Sequence, residues 1–173
     1  MRKVTYGAAV SLDGYIAGPG EAMDWLRWSD DAAAISAASW KGVDTLLMGR
    51  RTYEFAVRSG GGPSSAGMTT FIVSTTMAAA PAGAQLVRAD PAGFVRALKA
   101  EPGGDIIVMG GGALGSALIS GGVVDEIGLN VHPVLLGGGT PMFPPVAGDV
   151  ALALVEARPI ARDCVFLLYR LAA

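Results

Sequence analysis

Ile106-Ile107-Val108-Met109-Gly110-Gly111-Gly112-Ala113-Leu114 is the stretch on which the reading of this chain turns. Four apolar residues, then three glycines, then small and apolar residues running on to Ser120 spell strand, tight turn and helix start. A short apolar run bounded by turn residues suits a strand buried on both faces. Bare glycines let a backbone approach a phosphate closely, and the free amides and dipole of the following helix favour an anion there. The run is not the G-x-G-x-x-G dinucleotide fingerprint. Two readings therefore stand: Gly110, Gly111, Gly112, Ala113 and Leu114 cradle a nucleotide phosphate, or the glycines merely pack a helix onto a strand.

The same grammar occurs upstream. Leu47-Met48-Gly49-Arg50-Arg51-Thr52-Tyr53-Glu54 is again strand, glycine, helix start, now with two arginines and a hydroxyl. Arginine pairs well with phosphate, including a 2′-phosphate. The plainer reading is a solvated helix start with Glu54 paired to a neighbouring charge. Ile72-Val73-Ser74-Thr75-Thr76 puts hydroxyls after a third strand, where they either cap a turn or face a ligand. Parallel strands end on one side of a sheet, and ligands bind at their carboxyl ends, so these segments support one another. Val10-Ser11-Leu12-Asp13-Gly14 leaves the first strand, and Asp13 is either a turn former or a carboxylate facing a heterocycle. Asp24-Trp25 reads as a buried proton donor beside an aromatic, or as a helix cap beside a core residue. Trp28 and Trp40 read as core.

Further islands of β propensity lie at Val4–Val10, Thr69–Ser74, Gln85–Arg88, Glu126–Val134, Ala151–Ala157 and Val165–Leu171. Helical segments are expected at Ala32–Trp40, Arg51–Arg58, Ala92–Ala100 and Ala113–Ser120, the third opened by Asp90-Pro91. Strand–helix alternation through the first 120 residues predicts a mainly parallel sheet with helices on both faces, a three-layer α/β/α arrangement. The last strands lack helices between them, and a turn from Arg158-Pro159 to Asp163 predicts an antiparallel carboxyl-terminal edge. Ser59–Gly67 and Gly137–Gly148 read as surface loops. At roughly 150 residues per domain, residues 1–173 read as one domain.

Composition narrows the chemistry. Apolar residues make up 51% and charged ones 16%, enough to bury a core. The net charge of −2 comes without a basic block, so no nucleic-acid footprint is visible. His132 and Cys164 are each the sole residue of their type, which removes a disulfide framework and any metal site built on several histidines or cysteines. The apolar run after Met1-Arg2-Lys3 is too short for a signal peptide, and none is long enough to span a membrane. A cytoplasmic chain is the expectation.

In order and spacing these motifs resemble the dihydrofolate reductase-like family, nearest to the reductase domain of bifunctional riboflavin-biosynthesis deaminase–reductases. The resemblance runs from Ser11-Leu12-Asp13-Gly14-Tyr15-Ile16-Ala17 through the two glycine turns to Val124-Asp125-Glu126-Ile127 and Pro133-Val134-Leu135-Leu136-Gly137. It implies an NADPH-dependent reductase acting on the C=N bond of a pyrimidine- or pteridine-like substrate, commonly as a homodimer. Gly49, Arg50, Arg51 and Thr52 would face the cofactor phosphates, Ser74 and Thr75 the adenosine 2′-phosphate, and the triple glycine the pyrophosphate. Ala9, Ile16 and Ala17 would border the nicotinamide, with Ser11, Asp13, Asp24 and Trp25 on the substrate side. Met109 stands where the riboflavin branch carries a glutamate, and Ala32–Trp40 holds no carboxylate. A nucleotide-binding module without catalysis is the other reading.

Overall fold

Apolar side chains alternate between two sides along each central strand, and this alternation builds two cores. In β3 (Val43–Gly49), Leu47 faces one side while Leu46 and Met48 face the other. In β6 (Asp105–Met109), Ile106 and Val108 oppose Ile107 in the same way. Leu47, Ile106 and Val108 pack with Tyr6 of β1 (Val4–Ser11) beneath α3 (Pro91–Ala100) and α4 (Gly112–Ser120). Leu46, Met48, Ile107 and Ile72 of β4 (Thr69–Val73) pack with Trp40, at the end of α1 (Asp30–Ser39), and with Tyr53 of α2 (Arg50–Arg58). Each such aliphatic side chain stabilises the fold by about 1.5–3 kcal/mol relative to exposure. The computed structural model describes residues 1–61, 67–145 and 148–172.

The remaining strands are β2 (Tyr15–Ala17), β5 (Ala84–Val87), β7 (Glu126–His132), β8 (Thr140–Pro141), β9 (Leu152–Ile160) and β10 (Cys164–Leu171). The main sheet runs β5-β4-β3-β6-β1-β7-β10-β9. All neighbours from β5 to β7 are parallel, whereas β10 is antiparallel to both β7 and β9. This is the mixed, mainly parallel sheet of the dihydrofolate reductase-like fold, with the expected antiparallel edge.

Two details differ from the expectation. β9 continues through Pro159, which lies opposite Val165, and the turn is confined to residues 161–163, where Arg162 and Asp163 take left-handed φ of 64° and 61°. An edge strand tolerates proline because its missing N–H need not pair with a neighbour. The 137–148 segment is not wholly loop, since Thr140–Pro141 pairs with Tyr15–Ala17 in a small second sheet. Of the expected loop 59–67, residues 62–66 lie outside the described residues.

Candidate active site

The order β3-β6 makes the two glycine turns neighbours. Met48 lies opposite Met109 in the parallel register, so both chains leave the sheet at the same rim. Gly110 and Gly111 turn with φ of 57° and 71°, a region costly for other residues. A Cβ on Gly110 would lie 3.0 Å from Thr52 Cγ2, and one on Gly111 3.3 Å from Thr52 Oγ1. The turns touch.

Their helices also begin alike. Ser29 caps α1 and Asp90 caps α3 with side-chain oxygens, but α2 starts from Gly49 and α4 from Gly111 with no side-chain cap. The first-turn amides of two adjacent helices are left for another acceptor. Arg51 is exposed beside them and, among the described residues, pairs with nothing. Arg50 sits one residue earlier, bound loosely to Glu54 at 3.6 Å on the surface, a contact of the kind worth little.

From these turns a cleft of about 590 Å³ extends between the sheet and α1. Its floor is bare: Gly7 and Gly128 face each other across β1 and β7, and a Cβ on Gly7 would lie 2.7 Å from the Gly128 carbonyl oxygen. Met23, Trp28, Ile35, Trp40, Phe55 and Phe166 form apolar walls. Asn130 and Thr5 are polar residues on the floor, and the Asn130 Oδ1 is buried without a hydrogen-bond partner among the described residues.

The expected site residues divide into groups. Ala9, Ile16, Ala17, Arg51, Thr52, Gly110, Gly111, Gly112 and Ala113 border the cleft. Gly49 and Arg50 stand at the start of α2, outside its walls, and Leu114 is core. Ser74 and Thr75 follow β4, next to β3, with Gly49 opposite Val73. Ser74 Oγ accepts the amides of Thr76 and Met77 at 3.2 and 3.0 Å and keeps its own proton to donate. Ser11 and Asp13 build a turn instead of a cleft wall. Ser11 Oγ donates to Asp13 at 2.6 Å and accepts the Tyr15 amide, while the Asp13 carboxylate accepts the amides of Leu136 and Gly137. The Ser11 hydroxyl foremost, then those amides, hold the Asp13 carboxyl below the usual carboxylate range. Asp24 is exposed, next to cleft-lining Met23.

Trp25 lies behind the cleft, edge-on to His132 at 5.3 Å. His132 is buried, and its Nδ1 accepts the Arg27 amide at 3.1 Å, tethering the segment that carries Met23 and Trp28. Burial, then the Arg27 charge, lowers its pKa below the ordinary value of 6.5. The unfolded chain therefore binds more protons as pH falls through about 6.5. Stability is expected to drop progressively from there down to the lowered native pKa. Urea midpoints measured across that interval should show the fall, and His132→Gln, though less stable itself, should show a shallower one.

Trp28 and Trp40, expected in the core, also line the cleft, and Asn130 joins them unforeseen. The tryptophans look like ordinary core, whereas a lone asparagine within an apolar strand was a legible signal. Gly7 and Gly128, glycines inside strands, were another.

The strand order, with a glycine-lined cleft at the carboxyl rim of the sheet, defines the dihydrofolate reductase-like fold. The chain belongs to the RibD C-terminal domain family, which it matches over residues 2–166. It is 28% identical to the uncharacterized protein YyaP of Bacillus subtilis, over 98% of this chain and 95% of that one. Among solved structures it is similar to a putative riboflavin biosynthesis protein from Shewanella sp. PV-4, with a TM-score of 0.86, 24% identity and 99% of each chain covered. It is also similar to dihydrofolate reductase from Enterococcus faecalis complexed with NADP(H), with a TM-score of 0.73, 18% identity, and 99% of this chain and 97% of that one covered.

Proposed function

We propose that residues 1–173 act as a single NADPH-dependent reductase domain that delivers hydride to a C=N bond of a pyrimidine- or pteridine-like substrate. One observation carries the reading: two glycine-led helix starts without side-chain caps, in contact, with the Arg51 guanidinium, unpaired among the described residues, beside them. Such a pair of amide-bearing turns fits a diphosphate. Arg50, with the hydroxyls of Ser74 and Thr75 at the adjacent strand end, fits an adenosine 2′-phosphate. Ala9, Ile16 and Ala17 border the space left for the nicotinamide, and the bare floor at Gly7 and Gly128 leaves room for a flat ring over it. The cofactor, when bound, supplies the hydride, and the protein supplies orientation and exclusion of water. Asp13 is committed to its turn and serves as a positioning residue. Asp24, exposed beside Met23, is the carboxylate assigned here to the substrate side.

A homodimer would form through β9, where Leu152, Leu154 and Val155 are exposed on a sheet edge that no described strand covers. The proposal also places the protein in the cytoplasm. No helix among the described residues is long and apolar enough to cross a membrane.

NADPH is expected to raise the melting temperature more than NADH. At about 100 times its Kd, a ligand that binds only the native state adds about 2.7 kcal/mol. Arg50→Ala should remove most of the preference for NADPH over NADH without unfolding the chain. No shift at millimolar NADPH would sink the cofactor assignment. Binding without oxidation of NADPH in the presence of any heterocycle would point to the non-catalytic module.

A further inference from the structure

We infer that the substrate half of this cleft takes an uncharged, flat heterocycle whose polar edge is read by the side-chain amide of Asn130, and that it rejects phosphorylated or carboxylated substrates. The inference rests on the reductase reading above.

Asn130 lies in β7 opposite Ala9 of β1 and Phe166 of β10, neither of which has a side-chain hydrogen-bond donor. Nothing in the strand's packing calls for an amide there, yet its Oδ1 is buried with no partner. A buried polar atom left unsatisfied costs about 1–3 kcal/mol, a cost a ligand N–H would remove once the amide rotates to present that oxygen to the cleft. Around it the walls offer broad apolar faces, among them Trp28, Trp40 and Phe166, which suit a planar ring.

The distribution of charge supplies the exclusion. Among the described cleft-lining residues, Glu21 and Arg51 alone are charged. Glu21 is held by Arg58 at 2.6 Å, and Arg51 stands at the glycine turns, where the cofactor phosphates are assigned. Deeper along α1, a hollow of about 240 Å³ shares Thr5, Ile35, Ser39, Phe166 and Leu168 with the cleft. It carries Lys3 and Lys41 against Asp105, Glu126 and Glu156, and Lys3 is already paired with Glu126 at 3.0 Å. Negative charge prevails there. An anionic substituent would enter an apolar cleft whose one cation, Arg51, stands at the glycine turns, and beyond it Lys41 is outweighed by Asp105 and Glu156, so burying it there costs far more than burying a neutral ring.

Lumazine and 6-carboxylumazine, both fluorescent, differ by one carboxylate and form a matched pair of probes. They would be titrated against the whole protein in mildly acidic buffer, where lumazine is neutral, with and without excess NADP+. Lumazine is expected to bind at least about tenfold more tightly, and Asn130→Leu to lose about tenfold of that affinity, the scale of one buried hydrogen bond. NADP+ binding, followed separately by calorimetry, should be unchanged in Asn130→Leu. Equal or tighter binding of 6-carboxylumazine to the wild-type protein overturns the inference whether or not the variant folds. So does failure of lumazine to bind at millimolar concentration, or an undiminished affinity in folded Asn130→Leu. Loss of NADP+ binding by the wild-type protein would instead defeat the cofactor reading, leaving the titrations without cofactor to decide the substrate class.

Discussion

Gly112→Ala is expected to lower the stability of the fold by about 2–4 kcal/mol, the upper range for a substitution that forces atoms into a packed core. An ideal Cβ at this position lies 2.3 Å from the Pro141 carbonyl oxygen, 2.8 Å from Pro144 Cδ and 3.0 Å from the Met142 carbonyl oxygen. These are backbone and ring atoms, and no side-chain rotation relieves them. The segment that would have to move is anchored from several directions. The Tyr6 hydroxyl donates to the Met142 carbonyl at 3.0 Å, and the Met142 amide donates to Gly14 at 2.9 Å. Thr140–Pro141 pairs with Tyr15–Ala17, so displacement passes to Ile16 and Ala17 at the cleft. Cofactor affinity should fall together with stability. Gly138→Ala is the control, because a Cβ there meets nothing within 4 Å. Urea unfolding of the two variants checks the prediction, and matching midpoints would refute it.

Arg51→Ala should behave in the opposite way, with melting temperature nearly unchanged and cofactor affinity sharply reduced. Among the described residues the guanidinium has no protein partner to lose, so the fold does not depend on it. Against a diphosphate it would make charge-assisted hydrogen bonds worth about 1.5–3 kcal/mol, or roughly 10- to 150-fold in affinity. Because the diphosphate is common to both cofactors, NADPH and NADH should weaken together. In Arg50→Ala the loss should fall on NADPH alone. Calorimetric titration of both cofactors against both variants separates the two roles, and an Arg51→Ala protein with undiminished NADPH affinity would remove the arginine from the site.

The sheet was readable in the sequence because its signals are local. Ile106–Met109 and Leu46–Met48 are short apolar runs closed by glycine, a pattern that suits strands covered on both faces. Even the antiparallel edge followed from the missing helices after Glu126. Pro159 misled because proline signals a turn almost everywhere except on a sheet edge, and which strand forms an edge is a property of the whole topology. Thr140–Pro141 escaped because two residues carry no period. The glycine-led helix starts of the candidate site were legible for the same reason as the strands: glycine and arginine at a helix start announce themselves over a few residues. The cleft walls were not. Whether Trp28 fills a core or lines a cleft depends on where α1 settles over the sheet, and Ser11 and Asp13 joined a turn instead because Leu136 and Gly137 arrive from more than 120 residues away.

The neighbours that bring Thr52 against Gly110 are also far apart along the chain, since β3 and β6 meet only after β4, β5 and α3 have intervened. Closing so long a loop is slow compared with forming any single helix. A nascent polypeptide that has emerged only as far as α3 has neither the second amide-bearing turn nor the central strand beside β3. The anion capture proposed for these turns is thus expected late, and its onset in a refolding experiment would time the insertion of β6 between β1 and β3.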